Sequence, residues 1–216
     1  LNGTRRKSLK SPEAMNPNEV YELSIPIQPT GWVVPKGHRI RIAISGSDFP
    51  NLWPTPEKAR LKVHRGGEYA SRIVLPFLPE ATLAPPAFLP EPKLLQVVKG
   101  YGRPADMTLE IDQITGKVSL LSSGRGTTVL EDDRGLMTSD RNFRCTASSK
   151  DPAQSSITGT HRYILERDGD KIEIVAESSI RGTADAFHIL IHLTVTKNGT
   201  LFFQKTWMES EPRKLL

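Results

Sequence analysis

Residues 163–174 read YILERDGDKIEI, with the dipeptide Asp168-Gly169 at their centre. Asp-Gly is typical of a two-residue hairpin turn, because both central positions of that turn need a positive φ. With the turn there, the flanking residues pair by charge and by polarity: Arg167 with Asp170, Glu166 with Lys171, Leu165 with Ile172 and Tyr163 with Ile174. Each cross-strand pair contributes only ~0.2–1 kcal/mol. Their agreement in one register predicts an antiparallel hairpin.

A second hairpin is predicted at Asn198-Gly199. The strand before it alternates, with apolar side chains on one face at Phe187, Ile189, Ile191, Leu193 and Val195. A regular two-residue turn places three pairs opposite each other: Val195 and Phe202, His192 and Lys205, and Leu190 and Trp207. Both faces are partly apolar, which favours a strand covered on both sides or paired into a closed barrel.

Upstream of these hairpins the pattern is also a meander of strands. Thr108–Ile111 and Lys117–Leu121 flank a turn at Ile114-Thr115-Gly116, and Thr127–Glu131 precedes a polar loop. No segment longer than a turn or two has helical periodicity. The fold class is therefore all-β, with an antiparallel β sandwich or barrel over residues 105–216. Before it we predict a Pro-rich linker at 81–104, because the prolines at 76, 79, 85, 86, 90 and 92 exclude a helix.

The first 80 residues predict about four strands. Two are Val20–Ile27 and residues 38–45, and two more form a hairpin of 59–64 with 69–76 around Arg65-Gly66-Gly67-Glu68. A jelly roll needs about eight strands. Residues 1–80 are therefore predicted to be a partial jelly-roll-like domain, completed by another chain or by the lower half of this sequence.

The strand at 38–45 leads through Gly46 into a loop with prolines at 50, 54 and 56. Proline fixes φ, so the loop presents Phe49 and Trp53 from a stiff backbone. Asp48 could bond loop amides or pair with Arg39 or Arg41. The candidate contact surface comprises His38, Arg39, Asp48, Phe49, Pro50, Asn51 and Trp53.

Four segments carry a resemblance to a known family: LNGTRRKS at 1–8, GHRIRI at 37–42, SDFP at 47–50 and RIVLP at 72–76. Together they resemble the C-terminal non-catalytic domain of X-Pro dipeptidyl-peptidase and cocaine-esterase-like serine hydrolases. Arg5 departs from the pattern, since family members often have His or Tyr there. The resemblance implies a galactose-binding-like jelly roll whose earlier strands precede Leu1, and a catalytic triad in an upstream α/β domain. It also implies that the candidate contact surface docks on that domain near its substrate cleft.

We find no catalytic, cofactor or metal motif in the chain itself. The nucleophile elbow Gly-x-Ser-x-Gly is absent. His188 and His192 could hold one metal only if their segment were a helix. On a strand they share a face but lie ~13 Å apart, which is too far for one metal to bind both. Cys145 is the single cysteine, so an intrachain disulfide and a Cys-based zinc site are excluded.

Charge and hydropathy argue against two classes of partner, nucleic acid and the membrane. The net charge is +5, but basic residues are scattered among acids, and the cluster Arg5-Arg6-Lys7 lacks interleaved aromatic residues, which argues against nucleic acid. No apolar run approaches the ~20 residues of a membrane span. A single cysteine permits a reducing compartment, and we expect a cytoplasmic location.

The resemblance implies the C-terminal non-catalytic β domain of a serine hydrolase acting on esters or peptide-like amides. This chain alone should hydrolyse nothing, and it should need no cofactor. Its expected partner is the α/β-hydrolase catalytic domain of the same protein, with a homo-oligomer as a further arrangement. The alternative is a stand-alone β-barrel or sandwich binding module for an apolar or carbohydrate ligand. A third interpretation is a structural tail that covers sheet edges.

Overall fold

The computed structural model describes residues 2–57, 59–76, 99–130 and 134–215. Its one sheet is an antiparallel meander in which each strand pairs with the next along the chain, so β1 and β7 are the two edges. The strands are β1 Gly100–Asp112, β2 Lys117–Val129, β3 Gly135–Ser148, β4 Ser156–Arg167, β5 Asp170–Gly182, β6 Ala186–Lys197 and β7 Thr200–Pro212. The all-β prediction and the meander are confirmed.

The hairpin at Asp168-Gly169 forms in the predicted register. Both residues have positive φ, 52° and 86°. The four expected pairs are present: Arg167 with Asp170, Glu166 with Lys171, Leu165 with Ile172 and Tyr163 with Ile174. Local turn chemistry and cross-strand complementarity were therefore sufficient to set β4 against β5.

The β6–β7 hairpin turns at Asn198-Gly199 as predicted, but its register beyond the turn was predicted wrongly. A β-bulge follows the turn, so that Thr196 pairs with Leu201 while Val195 pairs with Phe203. The extra residue is Phe202. Because side chains alternate along a strand, this one-residue shift moves every later β7 side chain to the opposite face. Leu190 therefore pairs with Met208, and His192 with Thr206 rather than Lys205.

Two other predicted segment boundaries differ from those in the structure. The segments predicted as separate strands at 117–121 and 127–131 belong largely to one strand, β2. Gly100–Pro104, the end of the predicted linker, is the start of β1, while residues 81–98 lie outside the described residues. The helices in the described ranges are single 3₁₀ turns at Gly3–Arg5, Gly67–Tyr69 and Pro152–Gln154, and none could span a membrane.

The sheet has two chemically different faces, which follow from the pairing register. The polar face includes the cross-sheet row Thr108, Leu121, Arg144, Thr158, Ser179, Leu190 and Met208. The apolar face includes the next row, Met107, Ser122, Phe143, Gly159, Ser178, Ile191 and Trp207. Along each strand the apolar face continues at every second residue, for example at Leu120, Tyr163 and Ile174.

Residues 2–76 differ from the rest of the described chain in their secondary structure. Their described part contains no strand, and Asp48 and Leu52 form an isolated bridge. The strands predicted at 20–27 and 38–45 are not formed, and at 59–76 a 3₁₀ turn with a hydrogen bond from the Ser71 N–H to the His64 oxygen (3.2 Å) replaces the predicted hairpin. Isolated strands need sheet neighbours for stability. The jelly-roll-like domain over 1–80 stays a prediction.

Candidate functional site

The aromatic loop, residues 47–54, is held by its own backbone. The Leu52 N–H donates to the Asp48 carbonyl oxygen at 2.8 Å, and the Asn51 side-chain amide donates to the Asp48 carboxylate at 3.3 Å. Within the described ranges no ion pair joins Asp48 to Arg39 or Arg41. Asp48 therefore acts as a local anchor of the loop, as one of the two sequence interpretations expected.

The two large side chains of the loop contact each other and the sheet. Phe49 and Trp53 lie with ring centroids 5.2 Å apart at 61°, an edge-to-face arrangement. Trp53 also packs on Phe187, at 5.0 Å and 60°. Phe187 lies near the start of β6 on the apolar face. The loop thus covers one corner of that face, which makes the Trp53 contact internal to this chain.

Arg213 fastens the loop to the end of the sheet. Its guanidinium donates to the carbonyl oxygens of Pro54, Thr183 (2.8 Å) and Ala153 (3.3 Å), and it lies 4.8 Å from the centre of the Phe187 ring. Burial of the guanidinium lowers the pKa of Arg213. We call this set, Pro54, Ala153, Thr183, Phe187 and Arg213, the junction.

The sequence predictions missed the junction. Arg213 follows a proline near the end of the chain, and its three acceptors are backbone oxygens from three distant segments. Backbone acceptors leave no residue-type signal in a sequence. Phe187 was placed on an apolar strand face, but nothing local indicated that Trp53 would reach it.

The candidate contact surface is only partly assembled. Asp48, Phe49, Pro50, Asn51 and Trp53 lie together because they are nearly contiguous in the loop, with Asp48 and Asn51 exposed and the others half-buried. His38 and Arg39 are exposed, and the His38 N–H donates to the Pro35 oxygen at 3.0 Å. No hydrogen bond or ring contact between described residues joins His38 or Arg39 to the loop.

A second candidate site is an open groove of about 640 Å³, lined largely by the polar face. It includes Asp106, Asn142, Arg144, Glu177 and His192. The His192 Nδ1 lies 2.7 Å from the Thr206 hydroxyl, and its Nε2 lies 3.0 Å from the Gln204 amide nitrogen. The lining also carries hydroxyl, amide, carboxylate and guanidinium groups, which between them donate and accept hydrogen bonds. The groove can therefore offer hydrogen bonds of both kinds to a polar ligand.

A serine hydrolase needs a serine hydroxyl within hydrogen-bond distance of a histidine. Ser139 Oγ lies 2.9 Å from His161 Nε2, a pair that the sequence predictions missed. A triad also needs a carboxylate on the other imidazole nitrogen, but among the described residues no carboxylate is bonded to His161, and its ring lies 4.2 Å from the ring of Tyr163. In the same ranges no group of three His, Cys, Asp or Glu residues could hold a metal ion. Ser139 and His161 form a contact between β3 and β4, and the described residues supply no third member of a triad beside them.

Comparison with known proteins places the aromatic loop in a recognisable family segment. Residues 1–74 match the X-Pro dipeptidyl-peptidase C-terminal non-catalytic domain. A cocaine esterase of Rhodococcus sp. is 32% identical over 87 residues, covering 34% of this chain and 15% of that protein. Proteins named as serine esterases in Mycobacterium bovis and Mycobacterium tuberculosis are each 40% identical over 63 residues, covering 29% of this chain and 10% of each protein.

The chain therefore spans a small part of the length of these relatives. The family match lies outside the seven-stranded sheet, since residues 1–74 end before β1. No solved structure matches the chain. The segment that carries the aromatic loop matches the X-Pro dipeptidyl-peptidase C-terminal non-catalytic domain family, which confirms the resemblance identified from its four motifs.

Proposed function

We propose that this chain is the C-terminal non-catalytic β region of an X-Pro dipeptidyl-peptidase-like or acyl-esterase-like serine hydrolase. It packs on the α/β-hydrolase catalytic domain, contributes a wall of the substrate pocket and supports assembly of the enzyme. The observation that carries this proposal is the aromatic loop. The loop lies inside the family-matching segment. Its Trp53 packs on Phe187 of the sheet, while Asp48 and Asn51 are exposed to a partner.

The exposed surface of the chain supports a role within a larger assembly. In residues 2–76 large apolar side chains are exposed, including Ile40 at 57%, Ile42 at 59% and Ile44 at 63%. Burying such side chains stabilises an assembly by ~1.5–3 kcal/mol each. An adjoining domain that covers this segment would recover that free energy.

The first test is hydrolysis by the chain alone. We expect the purified 216-residue protein to release no p-nitrophenol from p-nitrophenyl acetate, and to gain no mass after a serine-reactive fluorophosphonate. Ser139→Ala is the matched variant, because Ser139 is the hydroxyl that lies closest to a catalytic geometry. A stoichiometric adduct that Ser139→Ala removes would contradict a non-catalytic role.

The second test addresses the partner directly. The segment of the Rhodococcus cocaine esterase that corresponds to residues 1–74 can be exchanged for those residues of this chain, and hydrolysis of p-nitrophenyl acetate measured. We expect the chimera to keep its activity. Asp48→Ala, at an exposed loop position, should lower activity, while Glu57→Ala, an exposed position just beyond the loop, should not. Equal activity of the two variants would argue against docking through the loop.

A second candidate function is that of a binding module, which the groove on the polar face favours. Its lining of hydroxyl, amide and charged side chains suits a polar ligand such as a carbohydrate better than an apolar one. Screening the protein against a glycan library, with His192→Ala as the groove variant and His64→Ala as the control, tests this function. Binding that both variants retain would place the ligand elsewhere.

A further inference from the structure

The apolar face of the sheet is largely uncovered. Its side chains shield one another only sideways, so that residues in the interior of the sheet remain substantially exposed: Phe143 37%, Tyr163 38%, Ile174 36% and Ile191 38%. On the edge strand β1, Met107 and Leu109 are exposed at 67% and 61%. Cys145 and Ala153 are buried at 3% and 6%, and Pro54 of the aromatic loop is buried as well. An antiparallel sheet normally packs one face on a core, and the described residues place no such core on this face beyond its Phe187 corner.

The size of the face decides what kind of partner it needs. Seven strands spaced ~4.8 Å apart and about 12 residues long span roughly 29 by 41 Å, or about 1,200 Å². Exposed apolar patches of a typical monomer reach only ~300–600 Å². A stable protein–protein interface needs about 800 Å² from each partner. The face therefore has enough area for a stable dimer, even with its Phe187 corner covered by the aromatic loop.

The charges on this face fit a second copy of the same surface. An isologous pair brings each patch against itself, so a strong excess of one charge would repel. The face carries both signs in nearly equal number: Arg141, Arg167, Lys197 and Lys205 against Asp170, Glu209 and Glu211. All except Arg141 lie towards strand ends or on the edge strand β7, which leaves the centre apolar.

We propose that two copies of this chain pair through their apolar faces, so that the two seven-stranded sheets stack into a β sandwich about 10 Å deep. This inference rests on the assembly part of the proposed function and names its surface. The polar face and the exposed loop residues Asp48 and Asn51 stay outside the interface, while Trp53 occupies the Phe187 corner of the apolar face. A catalytic domain can therefore occupy the loop side of the same chain.

Sedimentation velocity of the purified 216-residue protein tests the proposal with two matched pairs of variants. Ile191→Lys and Leu190→Lys change neighbouring residues of β6, exposed at 38% and 42%, on the apolar and the polar face respectively. Met107→Lys and Met208→Lys change exposed methionines of the two edge strands, again on opposite faces. Far-UV circular dichroism checks that each variant keeps its sheet.

We expect the native chain, Leu190→Lys and Met208→Lys to sediment at about 48 kDa, twice the chain mass of 24.0 kDa. Ile191→Lys and Met107→Lys should raise the dimer dissociation constant by at least about tenfold. If Ile191→Lys fails to fold, Met107→Lys carries the test, because its side chain is exposed at an edge.

A monomeric native chain overturns the proposal, and so does a dimer that survives both apolar-face substitutions, which would indicate edge-to-edge pairing. The esterase chimera described above separates the two proposals. Ile191 lies outside the exchanged segment, so loss of the dimer by Ile191→Lys says nothing against docking on the catalytic domain.

Discussion

The ring of Trp53 lies 5.0 Å from the ring of Phe187, with the two planes 60° apart. This contact joins the family-matching segment to the seven-stranded sheet. Tilted aromatic pairs contribute ~0.5–1.5 kcal/mol beyond the area that they bury. The relation between these residues is therefore expected to stabilise both parts of the chain.

A double-mutant cycle measures that stabilisation. We expect Trp53→Ala and Phe187→Ala each to lower the free energy of urea unfolding by about 1–3 kcal/mol, with a coupling of ~0.5–1.5 kcal/mol between them. Trp32→Ala is the control, because Trp32 is 80% exposed, and it should change the free energy by less than ~0.5 kcal/mol. Strictly additive effects of the two substitutions would show that the rings do not interact in solution.

Arg213 should also stabilise the contact between the aromatic loop and the sheet, through its hydrogen bonds to the carbonyl oxygens of Pro54, Ala153 and Thr183. Arg213→Ala leaves buried oxygens without a donor, and we expect the free energy of unfolding to fall by about 1–3 kcal/mol. Limited proteolysis should also cut the aromatic loop faster in this variant, since Pro54 loses its contact with the guanidinium. Lys214→Ala, at the exposed neighbouring position, should leave both readouts unchanged.

Gly182 at the end of β5 permits a close approach that no other residue type allows. A Cβ there would lie 2.6 Å from the Ala153 oxygen, well inside van der Waals contact. Gly182→Ala should therefore destabilise the protein by ~1–3 kcal/mol. Gly126→Ala is the matched control in β2, because no atom lies within 4 Å of its added Cβ, and thermal unfolding should show no loss of stability.

The pH dependence of stability should include a contribution from Glu173. Its carboxylate accepts from Arg162 Nε at 2.6 Å, and this hydrogen bond lowers the pKa of Glu173 from its ordinary value of 4.5. A lowered native pKa stabilises the fold above pH ~4.5, and that stabilisation is lost as the pH falls through the native pKa. The pair is partly exposed, so its contribution is at most about 1 kcal/mol.

Comparison of the native protein with Glu173→Gln checks this sign. The difference in the free energy of unfolding should be largest near pH 7 and shrink towards pH 3. Glu177→Gln serves as the control, since Glu177 makes no ion pair within the described part of the chain. A difference that grows on acidification would contradict the assigned cause.

Cys145 should react slowly with alkylating reagents. It is 3% exposed on the apolar face, between Leu120 and Ile157 in the register, and burial raises the pKa of its thiol. Because the thiolate is the reactive form, iodoacetamide at neutral pH should label native Cys145 far more slowly than the unfolded chain. Rapid stoichiometric labelling, read by intact mass, would indicate that the centre of the sheet opens.

Parts of the fold followed directly from short-range patterns. The pairing of β4 with β5 could be predicted because Asp168-Gly169 selects one turn and the flanking charges accept one register. The β6–β7 register could not be predicted in this way, because no Gly or Pro marks the bulge at Phe202 in the sequence. This single residue moved Trp207 to the apolar face and placed Thr206 beside His192. The candidate contact surface was predicted as a stiff loop, but its inward contacts were not foreseen.

The amino-acid sequence by itself determined the all-β class, the hairpin at Asp168-Gly169, and the family of the first 74 residues, because these depend on local periodicity, turn residues and contiguous motifs. Only the tertiary structure decided that Trp53 packs on Phe187, and that Arg213 donates hydrogen bonds to three carbonyl oxygens from distant segments. It also decided which face of the sheet is left uncovered. These features join residues far apart in the chain, and their partners are aromatic surfaces and backbone oxygens that no local pattern identifies.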